Sequence, residues 1–162
     1  VYTCGVNFNQ KDVLDKNVKI IKTNRGGKIT WHGPGQLICY FVLDISKRKK
    51  DIRKFMTAIE NSIIETLKDF KISSFSDRKN IGIWVLDKNE EKKIAAIGFR
   101  VKKWIAYHGF SLNLTNNLNS YKKIVPCGIL NKGISKVENF KNISKNKIID
   151  KLKINLVKNL KY

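Results

Sequence analysis

A cysteine stands between a proline and a glycine late in the chain, in the segment Ile124-Val-Pro-Cys-Gly-Ile129. Pro126 fixes φ on one side of Cys127, and Gly128 permits unusual backbone angles on the other. The thiol is therefore expected on a rigidly aimed turn, which makes Cys127 a candidate nucleophile.

The chain has two other cysteines, Cys4 and Cys39. Three widely separated cysteines without a CxxC motif indicate neither a disulfide framework nor a zinc knuckle, and they favour a reducing compartment. Cys39 lies inside the apolar run 37–43, where a thiol usually serves as a small buried hydrophobe.

Lys93 is a candidate partner for the thiol because it opens the apolar run 94–97. In a strand its stem would be partly buried, while Lys92 would point to the other side. Burial disfavours the charged form of a lysine and a nearby ammonium favours a thiolate, so such a pair can share one proton near neutral pH. An exposed lysine at a strand entrance is the alternative interpretation.

The only histidines, His32 and His108, are each followed by glycine. Either could pair with Cys127 as a base, and together with that thiol they could form a Cys-His-His metal site. No closely spaced pair of metal ligands occurs in the sequence, so we expect no metal. His108 is kept as a further pocket candidate.

Two glycine turns lie within a dozen residues, Arg25-Gly-Gly27 and His32-Gly-Pro-Gly35. Neither has the spacing of a dinucleotide fingerprint or a P-loop. Their glycines let backbone N–H groups approach a ligand oxygen, and Arg25 adds a fork of donors. A tight connection between strands is the alternative, but two turns with polar side chains favour a binding loop.

The elements around these residues follow from periodicity. Apolar runs predict strands at 18–23 and 36–44, a strand pair at 81–86 and 93–97, and a further strand at 100–107. Apolar residues at three- and four-residue spacing predict helices at about 51–70, with Asp51 as N-cap, and at about 144–160. Strands outnumber helices and do not alternate with them, which predicts an α+β domain with a mixed sheet and helices mainly on one face.

Composition predicts a single domain over residues 1–162, because 42% of the residues are hydrophobic and no linker or repeat interrupts the chain. No apolar run is long enough for a membrane span and no leader is visible, so we expect a cytoplasmic monomer without a membrane partner. The formal charge of +20 suggests nucleic-acid binding, but the lysines are spread along the chain as on a solvated basic surface.

Together these segments resemble the octanoyltransferases of lipoate biosynthesis, which are related in fold to lipoate-protein ligases and biotin protein ligases. The resemblance covers most of the chain and is carried by residues 1–5, 25–43, 93–113 and 124–129. Trp31 stands where the family usually has tyrosine. The family's usual strand and helix ahead of residue 1 have no counterpart, so we expect that an N-terminal piece is missing.

The resemblance implies a catalytic domain of the biotin/lipoate protein ligase type. It makes Cys127 the acyl-thioester nucleophile and Lys93 the residue that lowers the pKa of that thiol and moves protons. It also implies substrate-binding residues, namely Arg25, Gly26, Gly27, Lys28, Ile29, Thr30, Trp31, His32, Ala96, Ile97, Gly98, Gly109, Phe110 and Ser111.

The implied reaction takes an octanoyl group from the phosphopantetheine arm of acyl carrier protein to a lysine of apo lipoyl domains. The acceptors would be E2 subunits of 2-oxoacid dehydrogenases and the glycine cleavage H protein, and the enzyme would need no cofactor of its own. Both partners are typically acidic, which gives the basic surface a use without nucleic acid. Two alternatives stay open: an ATP-dependent lipoate-protein ligase, which would not need Cys127, and a non-catalytic basic domain that binds nucleic acid.

Overall fold

The structure, a computed structural model, describes residues 1–128 and 132–161, with Cys127 described by its backbone alone. Nine strands lie in these ranges: β1 (Tyr2–Cys4), β2 (Ile20–Lys22), β3 (Ile29–Trp31), β4 (Gln36–Asp44), β5 (Phe75–Ser76), β6 (Ile83–Asp87), β7 (Glu90–Lys102), β8 (Ile105–Asn113) and β9 (Gly133–Ile134). The α-helices are α1 (Ile52–Asp69) and α2 (Lys145–Asn159). Short 3-10 helices occupy Gln10–Asp12, Leu118–Lys123, Pro126–Gly128 and Val137–Asn139.

The strands form two sheets. The larger has the order β4-β8-β7-β6-β5 with antiparallel neighbours, and β9 pairs in parallel with the start of β7. The smaller has the order β2-β1-β3, in which β1 is parallel to β2 and antiparallel to β3. The mixed pairing confirms the predicted α+β architecture.

Both α-helices contribute to one apolar core against the larger sheet. Phe55, Ile59, Ile63 and Leu67 of α1 are buried in it, and Ile148 and Leu152 of α2 join them. The side chain of Asp51 accepts a hydrogen bond from the Lys54 amide and caps α1 as predicted. Both helices match their predicted bounds to within one residue, because each buries an apolar stripe of helical period. Within the described ranges, no helix has both the length and the apolar run that a membrane crossing requires.

The strand predicted at 100–107 is wrong. β7 continues to Lys102, and β8 begins at Ile105 after a two-residue turn. Lys103 and Trp104 in this turn have φ angles of +50° and +64°. Hairpin turns of this kind usually contain Asn, Asp or Gly, so the Lys-Trp pair carries no turn signal in the sequence. The sequence also did not reveal β3, which lies between the two glycine turns.

Candidate active site

A cleft of about 490 Å³ lies between the β2–β3 loop and the larger sheet. Cross-strand register places two rows of small or neutral residues side by side on β4, β8 and β7, and both rows line the cleft: Ile38, Ser111 and Ala96 in one, Tyr40, Gly109 and Gly98 in the other. The intervening row, with Phe110 at its centre, packs into the helix-covered core. Most of the cleft therefore lies on the side of the sheet that the helices leave free, although Met56 of α1 and core-face residues such as Phe110 also border it.

The β2–β3 loop is held in place through its backbone. Residues 5–7 donate three backbone hydrogen bonds of 3.0–3.1 Å to the carbonyl oxygens of Arg25, Gly27 and Lys28. On the sheet side, the Gly26 amide donates to the Phe99 carbonyl at 3.3 Å. This loop is therefore pinned between β1 and β7 at one wall of the cleft.

The Arg25 side chain also serves this loop. One terminal nitrogen donates to the backbone oxygen of Thr3 at 2.8 Å and to its hydroxyl at 3.1 Å, and the other donates to the Gly26 carbonyl at 3.0 Å. These bonds fix the guanidinium in a set direction, so its positive charge has a defined place at the cleft wall.

Lys93 reaches the cleft because β7 contains a bulge. Ile83 lies opposite Ala95, and the next residue Trp84 lies opposite Lys93, so Ile94 is an extra residue in β7. Strict alternation would place Lys93 on the core face with Ala95, whereas a bulge can re-aim a side chain. Lys93 lines the cleft instead.

The Lys93 side chain is held firmly at this position. It is 3% exposed, its Nζ donates to the Ile81 carbonyl at 2.8 Å, and that nitrogen lies 4.8 Å from the centre of the Trp84 ring. A carbonyl and an aromatic face stabilise an ammonium without neutralising it. Lys92 instead forms an ion pair with Glu90 at 3.1 Å and does not line the cleft.

The 3-10 helix Pro126–Gly128 borders the cleft close to Lys93. Gly128 lines the cleft together with Lys93, and Pro126 and Lys93 line a second cavity of about 10 Å³. These two contacts bracket the backbone of Cys127. Its side chain lies outside the described residues, as does Ile129 of the same motif, so the distance between the thiol and Lys93 stays a prediction.

Both histidines line the cleft. Burial lowers the pKa of His32 despite its contact with Gln36, and the nearby charge of Arg25 lowers it further. Burial likewise lowers the pKa of His108, and the charges of Arg25 and Arg100 add to this effect. The two rings are therefore mainly uncharged at neutral pH.

The side chain of His108 does not lie on the face of the sheet that its pairing register predicts. It pairs with Phe41 and Phe99 of the core face, but its φ is +70° and its Nε2 lies 2.6 Å from Asn24 Oδ1 in the β2–β3 loop. Among the described residues, no three His, Cys, Asp or Glu side chains form a group suited to a metal ion. The expectation that the protein uses no metal stays a prediction.

The cleft brings together all the residues predicted to bind substrate except Trp31. Trp31 is 8% exposed and lies in a smaller core, where its ring meets that of Tyr121 edge to face at 5.5 Å. Sequence reasoning missed other lining residues, which come from distant segments: Thr3, Asn7, Thr23, Ile38, Cys39, Tyr40, Met56, Lys79, Asn80, Ile81, Phe99 and Gly128. Of these, only Gly128, in the cysteine motif, and the run 37–43 carried a visible signal, and for the run 37–43 that signal was one of burial.

Sequence comparisons place this site in a known family. A model of the lipoyl protein ligase A/B catalytic domain matches residues 1–158. The octanoyltransferase of Wolbachia pipientis subsp. Culex pipiens is 45% identical over 139 residues, which is 85% of this chain and 68% of that protein. The octanoyltransferase of Bartonella bacilliformis is 44% identical over 145 residues, covering 83% and 60%. The chain thus spans about two thirds of the length of these relatives.

Solved structures give the same fold. A bipartite lipoate protein ligase from Thermoplasma acidophilum superposes with a TM-score of 0.73 at 14% identity, covering 98% of this chain and 67% of that one. A biotin protein ligase from Aquifex aeolicus gives 0.63 at 15% identity, covering 98% and 70%. At such identities the likeness concerns the fold alone, whereas the family match and the curated relatives carry the assignment. The chain therefore belongs to the lipoyl protein ligase A/B catalytic domain family, and within that family to the octanoyltransferases.

Proposed function

We propose that this protein transfers an octanoyl group from octanoyl-acyl carrier protein to a lysine of apo lipoyl domains, through a thioester on Cys127. The observation that carries the proposal is the bracketing of Cys127: Lys93 shares the cleft with Gly128 and the smaller cavity with Pro126. The names of the curated relatives support the octanoyl group and the link to lipoate biosynthesis.

In the first half-reaction, the thiolate of Cys127 attacks the thioester carbon of the donor. The carbon–sulfur bond to the pantetheine arm breaks, and Lys93 delivers a proton to the departing sulfur. In the second, the acceptor amine attacks the octanoyl-enzyme, an amide replaces the thioester, and Lys93 takes up the proton that the amine loses. Backbone N–H groups of the glycine segments are the proposed donors to the oxyanion.

The octanoyl chain requires an apolar lining, and the thioester donor requires no further activation. The cleft lining includes the apolar residues Ile38, Met56, Ile81 and Ala96, which suit an alkyl chain. The thioester already carries the activation energy, so the proposal includes no nucleotide and no cofactor beyond the phosphopantetheine of the donor. The acceptors are E2 lipoyl domains and the glycine cleavage H protein.

The test is intact mass after mixing the protein with octanoyl-acyl carrier protein in the absence of nucleotide. Wild type is expected to gain one octanoyl group, and peptide mapping should place it on Cys127 rather than on Cys4 or Cys39. Cys127→Ala should gain none. A requirement for ATP in octanoyl transfer to a lipoyl domain would instead assign the protein to the ligases.

Lys93→Ala tests the proton partner. Acylation at pH 7 should slow by about 10²- to 10⁴-fold, as for loss of a general acid or base. The apparent pKa of the Cys127 thiol, measured from the pH dependence of its reaction with iodoacetamide, should also rise toward about 8.5, the pKa of an unperturbed thiol. Lys92→Ala is the matched control, because its side chain pairs with Glu90 outside the cleft. Equal damage in both variants would contradict the assignment of Lys93.

A further inference from the structure

The charges that line the cleft all have one sign among the described residues. Arg25, Lys28, Lys79 and Lys93 line it, and no Asp or Glu of the described residues does. In the proposed reaction, backbone N–H groups are the donors to the oxyanion and a single ammonium serves as proton partner, so the other cations take no part in these steps. The excess of positive charge therefore calls for another use.

Lys28, one of the predicted substrate-binding residues, lies against the 3-10 helix Pro126–Gly128 that carries Cys127. Its side chain packs over Gly128, which has a φ of +67° and no side chain. A Cβ at that position would collide with Lys28 Nζ and lie 2.6 Å from its Cδ. The ammonium thus sits directly beside the residue that follows Cys127. Among the described residues, no carboxylate forms an ion pair with Lys28.

The described carboxylates on neighbouring elements do not line the cleft. Asp12, whose backbone carbonyl accepts from the Val125 amide, is one of them, and Asp15 pairs with Lys123. Asp77 and Glu91 both pair with Lys132, and Glu90 pairs with Lys92. A hydrogen bond from Asn80 and further contacts lower the pKa of Asp77 to about 2, so it stays ionised beside Lys132.

The other ionisable groups of the lining add no negative charge. Burial raises the pKa of the Cys39 thiol, which keeps that thiol uncharged at neutral pH. His32 and His108 are mainly uncharged at neutral pH, as their lowered pKa values show. In the octanoyl-enzyme, Lys93 has already given its proton to the pantetheine sulfur, so the positive field in the cleft comes from Arg25, Lys28 and Lys79.

We infer that this positive cleft, in which Lys28 packs on Gly128 beside Cys127, selects the uncharged form of the acceptor lysine. The inference rests on the proposed function. A free lysine carries a proton at neutral pH, and an ammonium cannot attack a thioester. Like charges within a few ångströms disfavour the protonated amine, and contacts elsewhere on the acceptor domain supply the binding energy that this selection costs.

The proton balance is explicit. The acceptor ammonium loses one proton to bulk water on entering the cleft. The amine lone pair then attacks the octanoyl carbon, so that a carbon–nitrogen bond forms and the carbon–sulfur bond to Cys127 breaks. The second proton passes from the nitrogen to Lys93, which restores the Lys93 ammonium beside the departing Cys127 thiolate.

The experiment measures single-turnover transfer from isolated octanoyl-enzyme to a saturating lipoyl domain across pH, for wild type and Lys28→Gln. Under saturation the rate reports ionisation within the complex. We expect the Lys28→Gln rate to be about three- to tenfold lower at pH 7 and to converge with wild type as pH rises toward the ordinary lysine pKa of about 10.4. The domain concentration at half-maximal rate should not increase.

Two controls isolate the charge. Lys28→Arg keeps the positive charge and should follow wild type. Lys153→Gln removes an exposed charge from α2, on the other side of the sheet, and should also follow wild type. A lipoyl domain whose acceptor lysine is replaced by aminoethylcysteine, a less basic amine, should be less sensitive to Lys28→Gln.

A Lys28→Gln rate that is lower by the same factor at every pH would overturn the inference, because that pattern indicates lost positioning. Wild type that forms no octanoyl-enzyme would overturn the proposed function, and this inference with it.

Discussion

The two faces of the larger sheet differ although the same strands build both. On the helix-covered face, large apolar side chains such as Phe55 of α1 and Phe99 of β7 meet edge to face, with ring centres 5.1 Å apart. On the cleft face, the paired Gly98 and Gly109 leave the backbone bare, and the β2–β3 loop approaches within hydrogen-bond distance of β7. Alternation along a strand thus lets one face stabilise the fold while the other receives a ligand.

This difference predicts that the helix-covered face carries most of the stability. Phe55 is fully buried and its ring contacts those of Phe41 and Phe99. Phe55→Ala should lower the free energy of unfolding by about 3–5 kcal/mol, measured by urea denaturation, because it removes buried surface and leaves a cavity. Tyr40→Ala, at an exposed position of the cleft face, should change it by less than about 0.5 kcal/mol. Similar losses of unfolding free energy in both variants would contradict the prediction that the helix-covered face carries most of the stability.

The cleft face should be sensitive to added volume instead of lost volume. Gly109 pairs with Tyr40, and a Cβ on Gly109 would overlap the Cys39 carbonyl oxygen. Gly109→Ala should therefore cost about 1–3 kcal/mol of unfolding free energy, as overpacking does. Gly133→Ala is the matched control, since its Cβ would meet only the flexible Lys92 side chain at 3.3 Å or more. A tolerant Gly109 would show that the β4–β8 contact can open.

The smallest expected effect is a pH dependence of the free energy of unfolding, which originates from His32 on the cleft face. Because the pKa of His32 is lower in the folded protein than in the unfolded chain, the unfolded state binds more protons below about pH 6.5. The free energy of unfolding should therefore fall as pH drops from 7 to 5.5, above the range in which carboxylates titrate. His32→Asn should show a shallower fall in the same denaturation series. Equal slopes would mean that burial of His32 does not affect its protonation.

Local sequence pattern was enough to predict the helix-covered face. The apolar period of α1 and α2 and the cap at Asp51 gave helix bounds that the structure confirms. The resemblance to octanoyltransferases is confirmed as well, because its motifs lie in contiguous segments that are visible without a structure. The roles of Cys127 and Lys93 stay predictions.

The cleft face depended on contacts between distant segments. The turn at Lys103 and Trp104 has no turn residues, and the bulge at Ile94 is visible only in the pairing with β6. Trp31, in the middle of a predicted binding segment, packs into the small core instead. None of these features has a local signal, so sequence reasoning could not find them.

The amino-acid sequence by itself determined the helices, the α+β class and the family, because periodicity and motifs act over a few neighbouring residues. The tertiary structure alone decided that Lys93 faces the cleft and that Lys28 lies on Gly128. Both depend on strand register and on loop contacts between residues far apart in the chain. Such contacts form only when the whole sheet closes, and no single segment encodes them.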